Sequence, residues 1–248
     1  MSQQAGPHAG ERARIGLIVP SSNRLVEAQF PHYAPRGVSF HVSRLRMVGR
    51  YHATPAELMA RIVAAGKLAA DVGLDLLVFH STANAMEGGA EADRAIAEAL
   101  EQATGLPATT AAQAVTSALD ATGIRRLVLL SPYEPKLNAD EIAYLGAAGY
   151  TVLHDVALDQ PHGGDAYPSI TPETWCELTI QARRAEADGY LLSCSNIRSI
   201  EAVEPLETAL DRPVVTSNQA VLWYACRCAG VADPLPGLGR LGQVTHAA

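Results

Sequence analysis

The chain has 248 residues, enough for one sizeable core or two small α/β lobes of roughly 100 residues each. Its 48% apolar and 18% charged residues exclude a disordered chain, and the formal net charge of -7 argues against a nucleic-acid partner, because a phosphate backbone rewards a basic face. No apolar run is long enough to span a membrane and the opening MSQQAGPHAGER lacks an apolar leader region, so a cytoplasmic protein with no membrane partner is expected.

In chain order, RIGLIVP (14–20) is a short apolar run that reads as a buried parallel strand, and VSFHVSRL (38–45) is a second strand. Helical periodicity runs from Pro55 to Ala70, opened by Thr54 with Glu57 three residues on, a capping-box pattern. LDLLVFH (74–80) is the next strand. Glu91 to Ala103 reads as a helix stopped at Gly105, and Leu106 to Thr109 as a short strand.

The same order then repeats. Gln113 to Ala121 is a helix ending at Gly123, RRLVLLSP (125–132) a strand, and Asn138 the expected cap of a helix from Ala139 to Leu145. YTVLHDVAL (150–158) is a strand, followed by a Pro/Gly/His-rich loop. A long helix is expected over 171–187, with Thr171 as cap, Pro172 at its first position and Glu173 in its first turn. GYLLSC (189–194) is a strand, Ile200 to Leu210 a helix, PVV (213–215) a strand, and Asn218 to Ala229 the last helix. PGLGRLG near the end, with Gly239 and Arg240, reads as a turn.

Pro20 and Pro132 close the first strand of each half, and Ser81 and Cys194 close a later one at nearly the same interval. The repetition predicts an α/β fold of two similar Rossmann-like lobes with parallel sheets, related by a pseudo-twofold axis. The first lobe is placed at 13–111, completed by 217–242, and the second at 112–216. Ligands of open parallel sheets bind beyond the carboxyl ends of the strands. A single cleft between the lobes is therefore expected, with Ser81 and Cys194 on opposite walls.

Polar turns follow the strands at PSSN (20–23), HSTAN (80–84), SPY (131–133) and SCSN (193–196). Such turns present backbone N–H groups and short hydroxyls that suit carboxylate oxygens or a developing enediolate. Cys194 is the foremost chemical group, at a strand end where helix N–H donors are expected to lower its pKa. Tyr133 can donate its phenol to a carboxylate, and Asn23 can orient a substrate oxygen or cap a helix. Arg44 and Arg46 offer bidentate forks for an acid, or are solvated surface residues. His80, beside Ser81, points away from the cleft if the strand alternates. Cys176, Cys226 and Cys228 read as structural thiols in no zinc spacing, and no metal is expected. No GxGxxG follows a strand, and GxxxxGK[ST], HExxH and GxSxG patterns are absent, so nucleotide, metal and serine-hydrolase readings have no footing.

GLIVPSSN (16–23) with Glu27, FHVSRLRM (40–47), VFHSTAN (78–84), SPY with Asn138, LLSCSN (191–196) and PLPGLGRL (234–241) together resemble the aspartate/glutamate racemase superfamily. The likeness is to its maleate cis-trans isomerase branch first and to the arylmalonate decarboxylases next. It implies a two-lobed fold, a site between lobes, no cofactor, a small mono- or dicarboxylate substrate and a homodimer or homotetramer. Racemases and isomerases of the superfamily use one cysteine from each lobe. Here the second-lobe position is Cys194 and the first-lobe position is Ser81. The decarboxylases keep only the second-lobe cysteine, which protonates an enediolate. Asn23, Thr82, Tyr133 and Ser195 fall where the family holds carboxylate oxygens, and Pro20, Ser21, Asn84 and Asn138 are further expected carboxylate-binding residues.

A hydroxyl is a poor nucleophile without a base, whereas a thiol is partly ionised near neutrality. Ser81 is thus either an engineered exchange that would trap a ligand or a natural residue of one-cysteine chemistry. Isomerisation of a small dicarboxylic acid is the leading expectation. Decarboxylation of a malonate-type acid with Cys194 as sole proton donor is the alternative, and a non-catalytic small-acid binding protein is the third. LDQPHGGDAYPS (158–169) has the composition of a lid that closes over the ligand.

Overall fold

The computed structural model describes residues 10–46, 54–161 and 165–246. Met47 of the FHVSRLRM run, and His162, Gly163 and Gly164 of the expected lid, lie outside them. Among the described residues no helix is long and apolar enough to cross a membrane.

Among the described residues eight strands form two parallel sheets: β1 (Ala13–Pro20), β2 (Val38–Leu45), β3 (Leu76–Phe79) and β4 (Ala108–Thr110), then β5 (Arg126–Ser131), β6 (Thr151–Ala157), β7 (Gly189–Leu192) and β8 (Val214–Thr216). Their orders are β2-β1-β3-β4 and β6-β5-β7-β8, so the second sheet repeats the first strand for strand. β1 and β5 occupy equivalent inner places. Ile15, Leu17, Leu127 and Leu129 are fully buried there, as is Leu191 on the neighbouring β7. Each such side chain contributes roughly 1.5–3 kcal/mol by leaving water. β6 lies at an edge and alternates between exposed and half-buried positions, as a strand covered on one face does. The fold is therefore the expected pair of pseudo-symmetric α/β lobes facing a central cleft. One hydrophobic cluster includes Ile15 and Phe79 from the first sheet, Leu129 and Leu191 from the second, and Trp223 from helix Ser217–Cys228. The lobes thus share a core.

Local signals hold at several ends. Thr54 Oγ1 accepts from the Glu57 N–H at 3.3 Å while the Glu57 carboxylate accepts from the Thr54 N–H at 2.7 Å, so the capping box of helix Pro55–Ala70 is complete. Gly105 stops helix Gly89–Thr104 at φ 71°, a left-handed conformation that suits glycine.

Other boundaries move. The helix expected from Ala139 is Pro135–Ala147, with Glu134 at the N-cap. Pro135 enters at the first helical position, where its missing N–H costs no bond, and Asn138 is interior rather than a cap. The helix expected over 171–187 ends at Gln181, after which the Arg184 guanidinium donates to the carbonyls of Ala182 and Arg183 at 3.0 and 2.9 Å. Gly239–Gly242 is a short helix, not a plain turn. Helices Val26–Tyr33, with Pro31 inside it, and Thr82–Met86 carry no strong sequence signal.

Candidate active site

The carboxyl ends of β1, β3, β5 and β7 deliver the four polar turns to the cleft. After β1, the Asn23 side-chain oxygen accepts from the N–H groups of Leu25 and Val26 at 3.0 and 3.2 Å, which opens helix Val26–Tyr33. Its amide nitrogen donates across the cleft to the Ser195 carbonyl at 2.7 Å. Asn196 returns the contact, accepting from the Arg24 N–H at 2.9 Å and donating to the Ser22 carbonyl at 3.3 Å. The PSSN and SCSN turns therefore meet across the lobes, with Pro20 as the last residue of β1 and the Ser21 N–H donating to the Leu45 carbonyl at 2.8 Å.

After β3, Ser81 precedes helix Thr82–Met86 and its hydroxyl donates to Asn84 Oδ1 at 2.7 Å. Thr82 is buried, and its hydroxyl has no hydrogen-bond partner among the described residues. A buried donor left open at a strand end is the feature a substrate oxygen would satisfy. Ala83 packs against the hydrophobic cluster that contains Tyr133 and Cys194, so the first-lobe turn rests on the part of the second-lobe core that holds the thiol.

Cys194 follows β7 with φ 142°, in the region that favours glycine, and is held there by its N–H donating to Ser217 Oγ at 3.0 Å. Its sulfur accepts from the Asn196 N–H at 3.3 Å and from the phenol of Tyr133. Both contacts favour thiolate, as expected of a strand end. Burial outweighs them, with the nearby Glu141 charge acting in the same direction, and the thiol is pushed up to about 12. The expected lowering is thus reversed, and Cys194 rests as a protonated acid. Tyr133 is raised well above the usual phenol range, first by burial and then by the Cys194 charge, so it too keeps its proton.

The remaining expected residues divide. Ser195 and Asn84 are buried in their turns. Asn138 is also buried, but its side chain is engaged at both ends: Oδ1 accepts from Ser131 Oγ and Nδ2 donates to Asp155 Oδ2, each at 2.7 Å. It props the SPY turn from behind. The Arg44 guanidinium donates to the carbonyls of Ser21 and Asn23 at 3.1 and 2.8 Å and pairs with Glu27, so it braces the PSSN turn from outside. Arg46 is exposed beyond the end of β2. His80 is fully buried, its Nε2 meeting Asn218 Oδ1 at 2.9 Å. Burial lowers its pKa to about 4 despite that bond, and it is neutral at pH 7. On the flanks of the expected lid, Gln160 and Asp159 donate backbone N–H groups to the carbonyls of Pro132 and Tyr133, Tyr167 packs edge-on to Tyr133, and Asp165 pairs with Arg24.

Ser217, Asn218, Asn196 and Glu141 were not singled out from the sequence. The first two had a signal. VVTSN (214–218) is a further strand followed by a short polar turn, of the same form as the other four. Among the described residues no group of three or more His, Cys, Asp and Glu is placed to hold a metal ion, and the cysteines are free.

Paired parallel sheets, four polar turns at their carboxyl ends and a buried, protonated thiol mark an enzyme of the Asp/Glu racemase superfamily. The chain belongs to the arylmalonate decarboxylase family, whose model matches residues 15–242. It is 31% identical over 233 residues to the arylmalonate decarboxylase of Bordetella bronchiseptica, covering 92% of this chain and 95% of that one. It is 29% identical over 244 residues to a maleate isomerase of Nocardia farcinica, covering 92% and 94%. Among solved structures, it is similar to a mutant of the Nocardia farcinica maleate cis-trans isomerase with a covalently bound succinylcysteine intermediate. The TM-score there is 0.85 at 25% identity, over 93% of this chain and 98% of that one. Ser81 occupies a buried position analogous to the first catalytic cysteine of the isomerases.

Proposed function

We propose that the cleft carries out enediolate chemistry on a small dicarboxylic acid, in the manner of a maleate cis-trans isomerase, with Cys194 giving and taking the proton. The observation that supports it most is the protonated, buried Cys194, backed by Tyr133 and the Asn196 N–H, beside a first-lobe turn whose Thr82 hydroxyl stands open. A substrate carboxylate seated on Thr82 and the turn N–H groups gains most when charge moves onto its oxygens, which is the condition for catalysis rather than mere binding.

In isomerisation, a nucleophile at the Ser81 position adds to one alkene carbon and the π pair moves into the adjacent carboxylate as an enediolate. Cys194 protonates the enediolate carbon. Rotation about the new single bond, removal of that proton by the Cys194 thiolate and elimination of the nucleophile return the trans alkene. Ser81 is a weak participant, because its hydroxyl proton is directed at the Asn84 oxygen, which is no base. The isomerase reading therefore predicts slow turnover with Ser81 and a strong gain with cysteine.

One observation favours a second reading, decarboxylation of a malonate-type acid. That reaction needs no adding group: the bond to the departing carbon dioxide breaks, its electron pair forms the enediolate, and Cys194 supplies the proton. A single protonated thiol suffices. The Arg44 guanidinium is bound to turn carbonyls and Glu27, so it does not present a free charge to an apolar substituent.

Proton NMR in deuterated buffer with maleate, aspartate, glutamate and a panel of malonates, on this chain and on Ser81→Cys, separates the readings. Trans alkene formed far faster by Ser81→Cys supports isomerisation. Deuterated monoacid from the chain as it stands supports decarboxylation. Tight binding without turnover in either protein removes both.

A further inference from the structure

Helix Pro135–Ala147 turns Glu141 inward, where the residue is 1% exposed. The hydroxyl of Ser193, the residue before Cys194, bears on its carboxyl group, and beyond that contact neither carboxyl oxygen has a hydrogen-bond partner among the described residues. An ionised carboxylate at such depth with at most one hydroxyl to support it is strongly disfavoured, so Glu141 is built to sit as a neutral acid. Its surroundings give it an audience. Both Cys194 and Tyr133 feel its charge, and for both a negative Glu141 makes proton loss harder.

We propose that Glu141 governs the proton that Cys194 gives: as a neutral buried acid it lets the thiol work, and once ionised it holds the thiol proton back. The proposal rests on Cys194 being the proton donor of the site. Glu141 acts through Cys194 and is a positioning residue, not a catalytic one. When Cys194 hands its proton to an enediolate, a negative charge appears on sulfur in a dry pocket. A second charge on Glu141 would oppose it; a proton on Glu141 removes the opposition.

Other titratable groups lie on this helix and on the elements packed against it. On the helix itself Lys136 pairs with Asp140, and Tyr144 donates to Asp93. β6 brings His154 and an Asp155 bound by Asn138. Helix Gly89–Thr104 brings Arg94 and an Asp93 that accepts from Thr110. Helix Thr82–Met86 carries no charged side chain. Burial lifts Glu141 to about 7, with the Ser193 hydroxyl opposing the rise, so the switch falls near neutrality.

The test is the rate at which iodoacetamide alkylates Cys194, followed by peptide mapping across pH in the full chain and in Glu141→Gln. The readout needs no substrate, so it stands even if the assigned reaction fails. The ratio of variant to parent rates is expected near one at acid pH. It should rise to about tenfold at mildly alkaline pH, the effect of a one-unit fall in thiol pKa. A ratio that stays flat across neutrality overturns the proposal. Ser193→Ala provides an independent check should Glu141→Gln fold poorly. Losing the hydroxyl raises the Glu141 pKa, so the pH at which Cys194 alkylation is held back moves upward; no movement, or a downward one, contradicts the proposal.

Discussion

Ser217 and Asn218 are neighbours in the chain and hold opposite walls of the cleft. The Ser217 hydroxyl accepts the Cys194 N–H at 3.0 Å, and the Asn218 side-chain oxygen meets the ring of His80, the residue before Ser81, at 2.9 Å. Asn218 also donates to Gln29 Oε1 at 2.7 Å, and Gln29 donates to Glu201 at 3.2 Å. One helix start thus sets the spacing of both reactive positions.

The Ser217 bond pins Cys194 in a backbone conformation that a non-glycine residue avoids. Ser217→Ala is expected to lower stability by about 1–2 kcal/mol through the orphaned N–H. It should lower turnover more than it weakens substrate binding, since the thiol is misplaced while the turns remain. Chemical denaturation and steady-state kinetics on the variant check both parts; turnover at the parental rate contradicts the role.

Ser81→Cys places a thiol where the hydroxyl now faces Asn84. A gain of about 100-fold or more in cis-trans isomerisation is expected, because an ionisable nucleophile replaces one that has no base. Fumarate appearance from maleate measures it, with circular dichroism showing that the fold is kept.

His80 makes stability depend on pH. Its pKa falls from 6.5 to about 4 on folding, so the unfolded chain binds a proton that the folded chain refuses between those values. The His80 contribution is complete above pH 6.5 and is lost as pH drops toward 4, on the order of 3 kcal/mol. Urea melts at a series of pH values should show this slope, and His80→Asn should flatten it.

Gly189 opens β7, and a Cβ there would lie 2.7 Å from the Pro213 carbonyl oxygen and 2.5 Å from Ile124 Cδ1. The carbonyl accepts the Tyr190 N–H that starts β7–β8 pairing and cannot retreat. Gly189→Ala is expected to cost about 1–3 kcal/mol of overpacking. A thermal melt checks it; an unchanged midpoint contradicts the contact.

Much of this was legible in the sequence because it is local. The buried runs of β1 and β5, the Thr54 capping box and the repeated strand-then-polar-turn rhythm depend on neighbours along the chain, and they placed the two lobes and the Ser81 and Cys194 strand ends. Asn138 was misread because a good capping residue outweighed Pro135, whose first-turn preference is the stronger marker. The Cys194 pKa reversed because helix N–H donors are visible in a pattern whereas total burial is not. Glu141 gave no signal at all: an acid on a helix is ordinary until packing closes over it. Arg44 could only be assigned once the carbonyls it grips were in place.

The central claim is that Cys194 is the proton donor to an enediolate. The most direct measurement is proton NMR in deuterated buffer of the product formed by this chain and by Cys194→Ala, on whichever maleate or malonate is turned over. The account predicts deuterium at the α-carbon with the parent chain and a loss of about 10²–10⁴-fold in the variant, the usual weight of a positioned acid. Turnover by Cys194→Ala at the parental rate, with the fold intact, would contradict it.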